Sequence, residues 1–462
     1  MSRMGRGFAL AALILSTAPQ ASLRDDAAQA LKKAATFYRT QVARHGGYVY
    51  YTSLDLKDRW GEGKALPDQI FVQPPGTPTV GLAYLRAWQA GGDAFYLEAA
   101  RETAEALVYG QLESGGWTQT INFGTDKRPA KYRGRPGGSW NTSSLDDGQT
   151  QTALRFLLLT DQALGFKHEK IHEAAIYGLH ALLKAQFPNG AFPQVWSGPV
   201  EAKPILKASY PDYDWRTEGR IKNYWDLYTL NDGLAGTVLE TLLVAHRVTG
   251  DARVKAAIEK LGDFLILAQM PEPQPGWCQQ YTYEMKPAWA RKFEPPALTA
   301  WEGQDVMRTL IKIHRFTGDK KYLEPLAKAL AYYRKRVLPD GQVARYYELK
   351  TDKPLYMDDQ YRLTYDDSSA PAHYGWKQSQ RFDAIEKELQ EGSKPVPRAA
   401  PPTEADVRKV LAALDDQGRW VSTYAGEGLV GQPRFAQGFA YLNSAVFSRN
   451  VEILSDYLAG VK

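Results

Sequence analysis

Cysteine is almost missing from this chain. Its 462 residues include one, Cys278, so no internal disulfide can form and stability must come from the packed core. Long apolar runs are missing too, and no stretch approaches the roughly 20 residues that a membrane-spanning helix requires. Charge of one sign is scarce. The formal net charge of +5 is too weak to argue for a nucleic-acid partner, although it favours an acidic ligand. No acidic cluster follows EF-hand spacing, which excludes that class of calcium loop. Aromatics, by contrast, are plentiful: 12 Trp, 27 Tyr and 16 Phe, flat apolar faces that suit a protein core and a carbohydrate cleft equally. The remaining composition, 44% hydrophobic and 24% charged, is that of an ordinary globular chain.

The N-terminus reads as an export signal over residues 1–21. Arg3 and Arg6 form a basic region and Phe8 to Leu15 an apolar run. Small-residue cleavage sites follow at Ser16-Thr17-Ala18 or Pro19-Gln20-Ala21. The expectation is a secreted or periplasmic protein.

Two themes recur along the body of the chain. Gly92-Asp93, Gly250-Asp251 and Gly318-Asp319 each place a helix-ending glycine before a capping aspartate, which predicts tight helix–helix corners. A Gly-aromatic-x-Gln turn appears at Gly116-Trp117-Thr118-Gln119, in the variant Gly190-Ala191-Phe192-Pro193-Gln194, and at Gly276-Trp277-Cys278-Gln279. It is fainter at Gly341-Gln342. Units of this length, each unable to bury its own apolar face, predict an all-α-dominated (α/α) toroid of helical hairpins, with short β segments and long loops gathered at one mouth. Helices are expected over Ala27–Arg44, Gly81–Gln89, Gln151–Leu164 and Leu234–Thr249, and Lys57 to Pro78 as loop. Residues 22–394 form the expected catalytic body and Pro-rich 395–403 a linker. Residues 404–462 form an extension packing back on the toroid, with a helix over Phe435–Leu458.

Four stretches carry candidate chemistry. Leu145-Asp146-Asp147-Gly148 and Leu230-Asn231-Asp232-Gly233 each open a helix. Their acidic residues are either helix caps or hard-cation ligands, and two such openings side by side would bring Asp146, Asp147, Asn231 and Asp232 together. The stretch from Trp277 to Pro296 interleaves Lys286, Arg291 and Lys292 with Trp289 and Phe293, a pattern suited to an acidic polysaccharide. In Gly341 to Leu349, alternation puts Arg345 on one face with Val343, Tyr347 and Leu349. That arrangement is either an arginine snorkelling past a rim or a functional arginine on an aromatic platform.

Together these blocks resemble family 10 of the polysaccharide lyases, the pectate lyases. They are Gly115–Gln119, Leu145–Thr150, Tyr228–Asp232, Gly276–Pro295 and Ala344–Tyr356. The resemblance runs from about Tyr84 to Trp376. It implies an (α/α) toroid, cleavage of polygalacturonate by β-elimination, and dependence on Ca²⁺; a monomer is expected. It implies Arg345 as catalytic base and Asp146 and Asp232 as calcium ligands, and Asp147 and Asn231 complete the expected metal set. Lys286, Arg291, Trp277, Trp117 and Tyr347 are the expected substrate contacts. Two other classes stay open at the level of residues: a glycoside hydrolase using paired carboxylates, and a glycan-binding protein without catalysis.

Overall fold

In a computed structural model, residues 22–124, 129–392 and 400–460 are described. The expected signal at 1–21, and most of the expected linker, lie outside those residues. Twelve α-helices dominate them: α1 (Leu23–Phe37), α2 (Thr77–Gly91), α3 (Ala94–Tyr109), α4 (Gln149–Ala163), α5 (Glu169–Lys184), α6 (Leu234–Thr249), α7 (Ala252–Leu267), α8 (Ala300–Thr317), α9 (Leu326–Arg334), α10 (Phe382–Glu391), α11 (Glu404–Ala412) and α12 (Ser444–Gly460). No helix among the described residues is long and apolar enough to cross a membrane.

The corners form as their residues dictate. Gly92, Gly250 and Gly318 take positive φ and end α2, α6 and α8. The next residue then caps the following turn: Asp93, Asp251 and Asp319 accept from the backbone N–H groups of Phe95, Arg253 and Lys321 at 2.9, 2.8 and 2.9 Å. Antiparallel hairpins result. Helices α2, α4, α6 and α8 pack in succession as an inner layer, with α3, α5 and α7 outside them, which is the expected helical toroid. Gly81 is what lets α2 approach α4, since a Cβ there would stand 2.3 Å from Phe156.

Each hairpin returns through the Gly-aromatic turn. The Trp117 and Trp277 indoles are fully buried and donate to the carbonyls of Leu107 and Leu265, both at 2.8 Å. Those carbonyls belong to the last turns of α3 and α7, where helix geometry leaves acceptors without intrahelical donors. Gln111 and Gln186 serve the next step of the ring. Each donates both to its own turn, at Gly115 and Gly190, and to the neighbouring outer helix, at Ala174 and Ala257.

Several element expectations change. The 57–78 stretch holds two short strands, Arg59–Trp60 and Gln69–Phe71, and α2 begins at Thr77. The first helix gives way to a π turn over Tyr38–Val42. The last helix starts only at Ser444, because Ala440–Asn443 is a strand pairing with Tyr51–Ser53 on one side and Val421–Thr423 on the other. Helix α12 then lies against α2 and α1, with Phe447 stacked on Tyr38 at a centroid distance of 3.7 Å.

Candidate active site

At the toroid mouth, Asp146, Asp147 and Asp232 each bring one carboxylate oxygen within 4.8 Å of the others. None caps a helix. The N-caps of α4 and α6 are Gly148 and Gly233, with no side-chain cap bond, and Asp147 and Asp232 sit at φ 44° and 53°. A non-glycine residue at positive φ is uncommon and costs conformational energy, and here it recurs on the equivalent acids of two successive hairpins.

The geometry around these acids repeats. The backbone N–H groups of Val72, Leu145 and Leu230 donate to the carbonyls of Gln119, Gln194 and Gln279, at 2.8, 2.8 and 2.9 Å. In each pair the glutamine amide then donates to the residue one beyond the ladder: Gln119 to Gln73, Gln194 to Asp146 at 2.8 Å, and Gln279 to Asn231. The fourth member of the series is Ala300, whose N–H donates to the Arg345 carbonyl at 3.1 Å. Arg345 therefore occupies the place of a turn glutamine. The residue one beyond Ala300 is Trp301, which has no side-chain acceptor, and Arg345 reaches one position further to Glu302 at 3.2 Å.

Arg345 is 7% exposed. One terminal nitrogen lies 3.7 Å from Asp232, the guanidinium sits 4.4 Å over the Tyr374 ring, and its buried Nε has no hydrogen-bond partner. Arg291 forks onto Glu294 at 2.9 and 2.6 Å and comes within 4.0 Å of Asp232. Tyr374 donates to Glu294 at 3.0 Å, and its hydroxyl meets that of Tyr346 at 2.7 Å. Charge follows this layout. Burial and the carboxylates of Asp146 and Glu62 push the Asp147 carboxyl up to about 6, against Arg291. Burial, with Asp146 and Asp147, holds Asp232 well above the usual carboxylate range, against Arg345. For Arg345, burial alone favours the neutral form, but Glu302 and the neighbouring acidic groups outweigh it and raise the pKa.

Comparison with known proteins finds a family resemblance across this mouth. Residues 122–342 match the family described as pectic acid lyase, a stretch that contains all three acids, Arg291 and Glu302. The chain is a polysaccharide lyase. No curated protein sequence matches it. Among solved structures it resembles the family 10 polysaccharide lyase from Cellvibrio cellulosa, at 20% identity over 66% of this chain and 97% of that one, TM-score 0.48. A variant of that Cellvibrio lyase in complex with trigalacturonic acid matches at 20% identity over 67% and 99%, TM-score 0.49. Cellobiose 2-epimerase from Bacillus thermoamylovorans matches at 13% identity over 94% and 98%, TM-score 0.46.

The lyase brings together Asp146, Asp147, Asp232, Arg291 and Arg345 of the residues expected from sequence. The others are placed differently. Asn231, next to Asp232, is buried and its side-chain oxygen accepts from Gln279. Trp117 and Trp277 are core residues whose indoles close helix ends, so neither offers a face to a sugar. Tyr347 is 1% exposed and donates to the Arg336 carbonyl at 2.6 Å. The expected alternation fails at Arg345 because the chain changes sheets there. Gln342–Ala344 pairs with Lys377–Ser379, whereas Tyr346–Tyr347 pairs with Pro354–Met357 and Leu298–Thr299. Tyr346 and Tyr374, not Tyr347, accordingly face the arginine. Lys286 pairs with Asp212 and lies 5.6 Å from the Tyr213 ring, in the 199–223 loop.

Glu302, Glu294, Tyr374 and Glu62 are site residues that the sequence reading missed. Glu302 had a signal: Glu302-Gly303 stands two and three residues past Ala300, as Asp147-Gly148 does past Leu145 and Asp232-Gly233 past Leu230, although here the pair lies inside the first turn of α8.

Proposed function

We propose that this lyase cleaves polygalacturonate by calcium-assisted β-elimination, yielding 4,5-unsaturated oligogalacturonides. The observation that carries the reading is the acid triad with two guanidiniums beside it, Arg345 and Arg291, at 3.7 and 4.0 Å from Asp232. Three carboxylates crowded within 4.8 Å, two of them with raised pKa, are only partly offset by those guanidiniums, which also pair with Glu294 and Glu302. All-oxygen, carboxylate-rich donors fit Ca²⁺ rather than a softer metal. Asp146, Asp147 and Asp232 would hold it, leaving coordination room for a uronate carboxylate. Bound there, calcium would neutralise that carboxylate and so favour loss of the neighbouring C5 proton.

The chain's own groups divide the remaining work. Arg291, fixed by its fork onto Glu294, positions a uronate carboxylate at the rim. Arg345, in its neutral guanidine form, would take the C5 proton and become the guanidinium; the C4–oxygen bond then breaks, a C4–C5 double bond forms, and the departing oxygen takes a proton from water. In the metal-free arrangement Glu302 and Asp232 hold Arg345 in its cationic form, so the role of base requires that those charges be offset. The same observation favours a second reading, in which Arg345 stays charged and clamps the carboxylate. A base predicts turnover that keeps climbing into alkaline pH, whereas a clamp predicts a plateau. Export of the chain, read from residues 1–21, suits a polymeric substrate.

The test is ultraviolet absorbance of protein with polygalacturonate, in calcium and in chelator. A calcium-dependent rise from the conjugated product is expected. Reducing ends without absorbance would mean hydrolysis and would sink the reading.

A further inference from the structure

Between the strands Val421–Thr423 and Ala440–Asn443 the chain leaves its sheet in an excursion from Tyr424 to Phe439. The base is closed by two backbone bonds, Tyr424 N–H to Phe439 and Gly438 N–H to Tyr424, both 2.9 Å. Its interior is aromatic: Phe435 lies 5.0 Å from Trp60 and 5.7 Å from Tyr424, and Phe439 lies 5.8 Å from Trp60, between ring centroids. A segment packed this way behaves as a fixed part of the surface.

The tip of this strap is pinned at both flanks of the mouth. On one side the Tyr51 hydroxyl donates to the Val430 carbonyl at 3.1 Å, and Gly431, at φ 75°, rests on the backbone of Gly61 so closely that a Cβ would stand 2.5 Å from its carbonyl oxygen. Glu62, the next residue, accepts from Gln73, which also donates to Asp147 at 3.0 Å. On the other side the Gln432 amide donates to the His373 carbonyl at 3.4 Å, and the neighbouring Tyr374 carries Arg345 on its ring. Contacts thus run from Asp147 through Gln73, Glu62, the strap and Tyr374 to Arg345, and from Arg345 through Asp232 back to the triad. The strap supplies the link between the segment ahead of α2, at Gly61, and the segment ahead of α10, at His373.

We infer that the strap Tyr424–Phe439 gives the lyase site a closed side, so that the uronate polymer enters by a chain end instead of being gripped sideways in mid-chain. The inference rests on the polygalacturonate reading above. The test compares viscosity with ultraviolet absorbance during digestion of polygalacturonate in calcium by the full chain, by Gly431→Ala, and by a chain in which residues 426–437 are replaced with a short Gly-Ser bridge. Gly431→Ala drives a methyl group against Gly61 and lifts the tip. The bridged chain removes the strap. The parent enzyme should accumulate absorbance and short oligomers while viscosity lags, and the variants should lose viscosity at several-fold fewer bonds broken. Early collapse of viscosity with the parent enzyme would overturn the inference, as would folded variants that keep the parent's ratio. Should the bridged chain fail to fold, Gly431→Ala decides. No unsaturated product from any form would overturn the substrate reading, and this inference with it, whereas product with the wrong viscosity course would overturn this inference alone.

Discussion

At ring positions where Gln119, Gln194 and Gln279 hand an amide N–H to a neighbour, Arg345 places a guanidinium, held between Glu302 and Asp232. That exchange offers an experiment, because glutamine is the residue of the other three turns. Arg345→Gln should melt lower than the parent, since it leaves the buried Glu302 without its cation, and its folded fraction should lose about 10²–10⁴-fold in kcat, the usual worth of a general base. Arg345→Lys should lose comparably, since an ammonium cannot reproduce the planar fork. Turnover retained in the lysine variant, followed by product absorbance, would remove Arg345 from the chemistry. The triad makes a second prediction. With Asp147 pushed up to about 6, its carboxylate carries a proton below that pH and must release it to bind a cation. Calcium affinity, measured by calorimetry, should therefore fall as pH drops through 6, by up to about tenfold per unit for each carboxylate that takes up a proton, with Asp232 adding to the loss. Asp147→Asn should weaken binding and make the drop shallower.

At the scale of elements, the buried indoles separate structural from functional aromatics. Trp277→Ala removes a fully buried ring and the donor to Leu265, and should destabilise by about 3–5 kcal/mol in denaturant unfolding. The KM of the surviving folded fraction should stay unchanged; a raised KM with intact stability would put Trp277 in the cleft. Helix α8 carries a pH dependence of its own. Asp305 accepts from the Gly236 N–H at 3.1 Å across to α6, and burial pushes its carboxyl up to about 7, against that hydrogen bond. Its pKa in the unfolded chain is near 3.8, so between the two values the folded state keeps a proton that the unfolded state has released. Stability therefore falls as pH rises through that window. Asp305→Asn should flatten this part of the melting-temperature profile and be more stable than the parent at pH 8.

The same elements show what was legible beforehand. The Gly-Asp corners and helix α6 follow directly from local backbone rules, and the acid pair was visible as a repeat. The place of Arg345 was not, because a chain that switches sheets at one residue has no period to detect. Burial of Trp117 and Trp277 was equally hidden, since an indole reads alike in a core and in a sugar cleft. Glu302 was legible in principle, as an acid-glycine pair set after its Gly-aromatic turn much as Asp147-Gly148 and Asp232-Gly233 are set after theirs.

For the whole molecule, the open question is whether the C-terminal segment is an accessory or part of the core. Composition alone could not place it, because strand Ala440–Asn443 is continuous in hydrophobicity with the helix that follows. In the fold it closes the first hairpin. Leu442 and Asn443 pair against the strand beginning at Tyr51, and Phe447 packs between Tyr38, Tyr84 and Trp420 at centroid distances of 3.7, 5.9 and 6.1 Å. Leu442, Phe447, Val451 and Leu454 are each no more than 1% exposed. Burial of one such side chain contributes about 1.5–3 kcal/mol, so these four account for roughly 6–12 kcal/mol. Net stability for a folded chain is only about 5–15 kcal/mol, so the loss would be comparable to the whole. A chain ending at residue 403 should consequently be recovered as aggregate or as a protease-sensitive species, with no cooperative melt by calorimetry and no lyase activity. A soluble truncated protein with a sharp transition would show instead that the toroid holds itself together without α12.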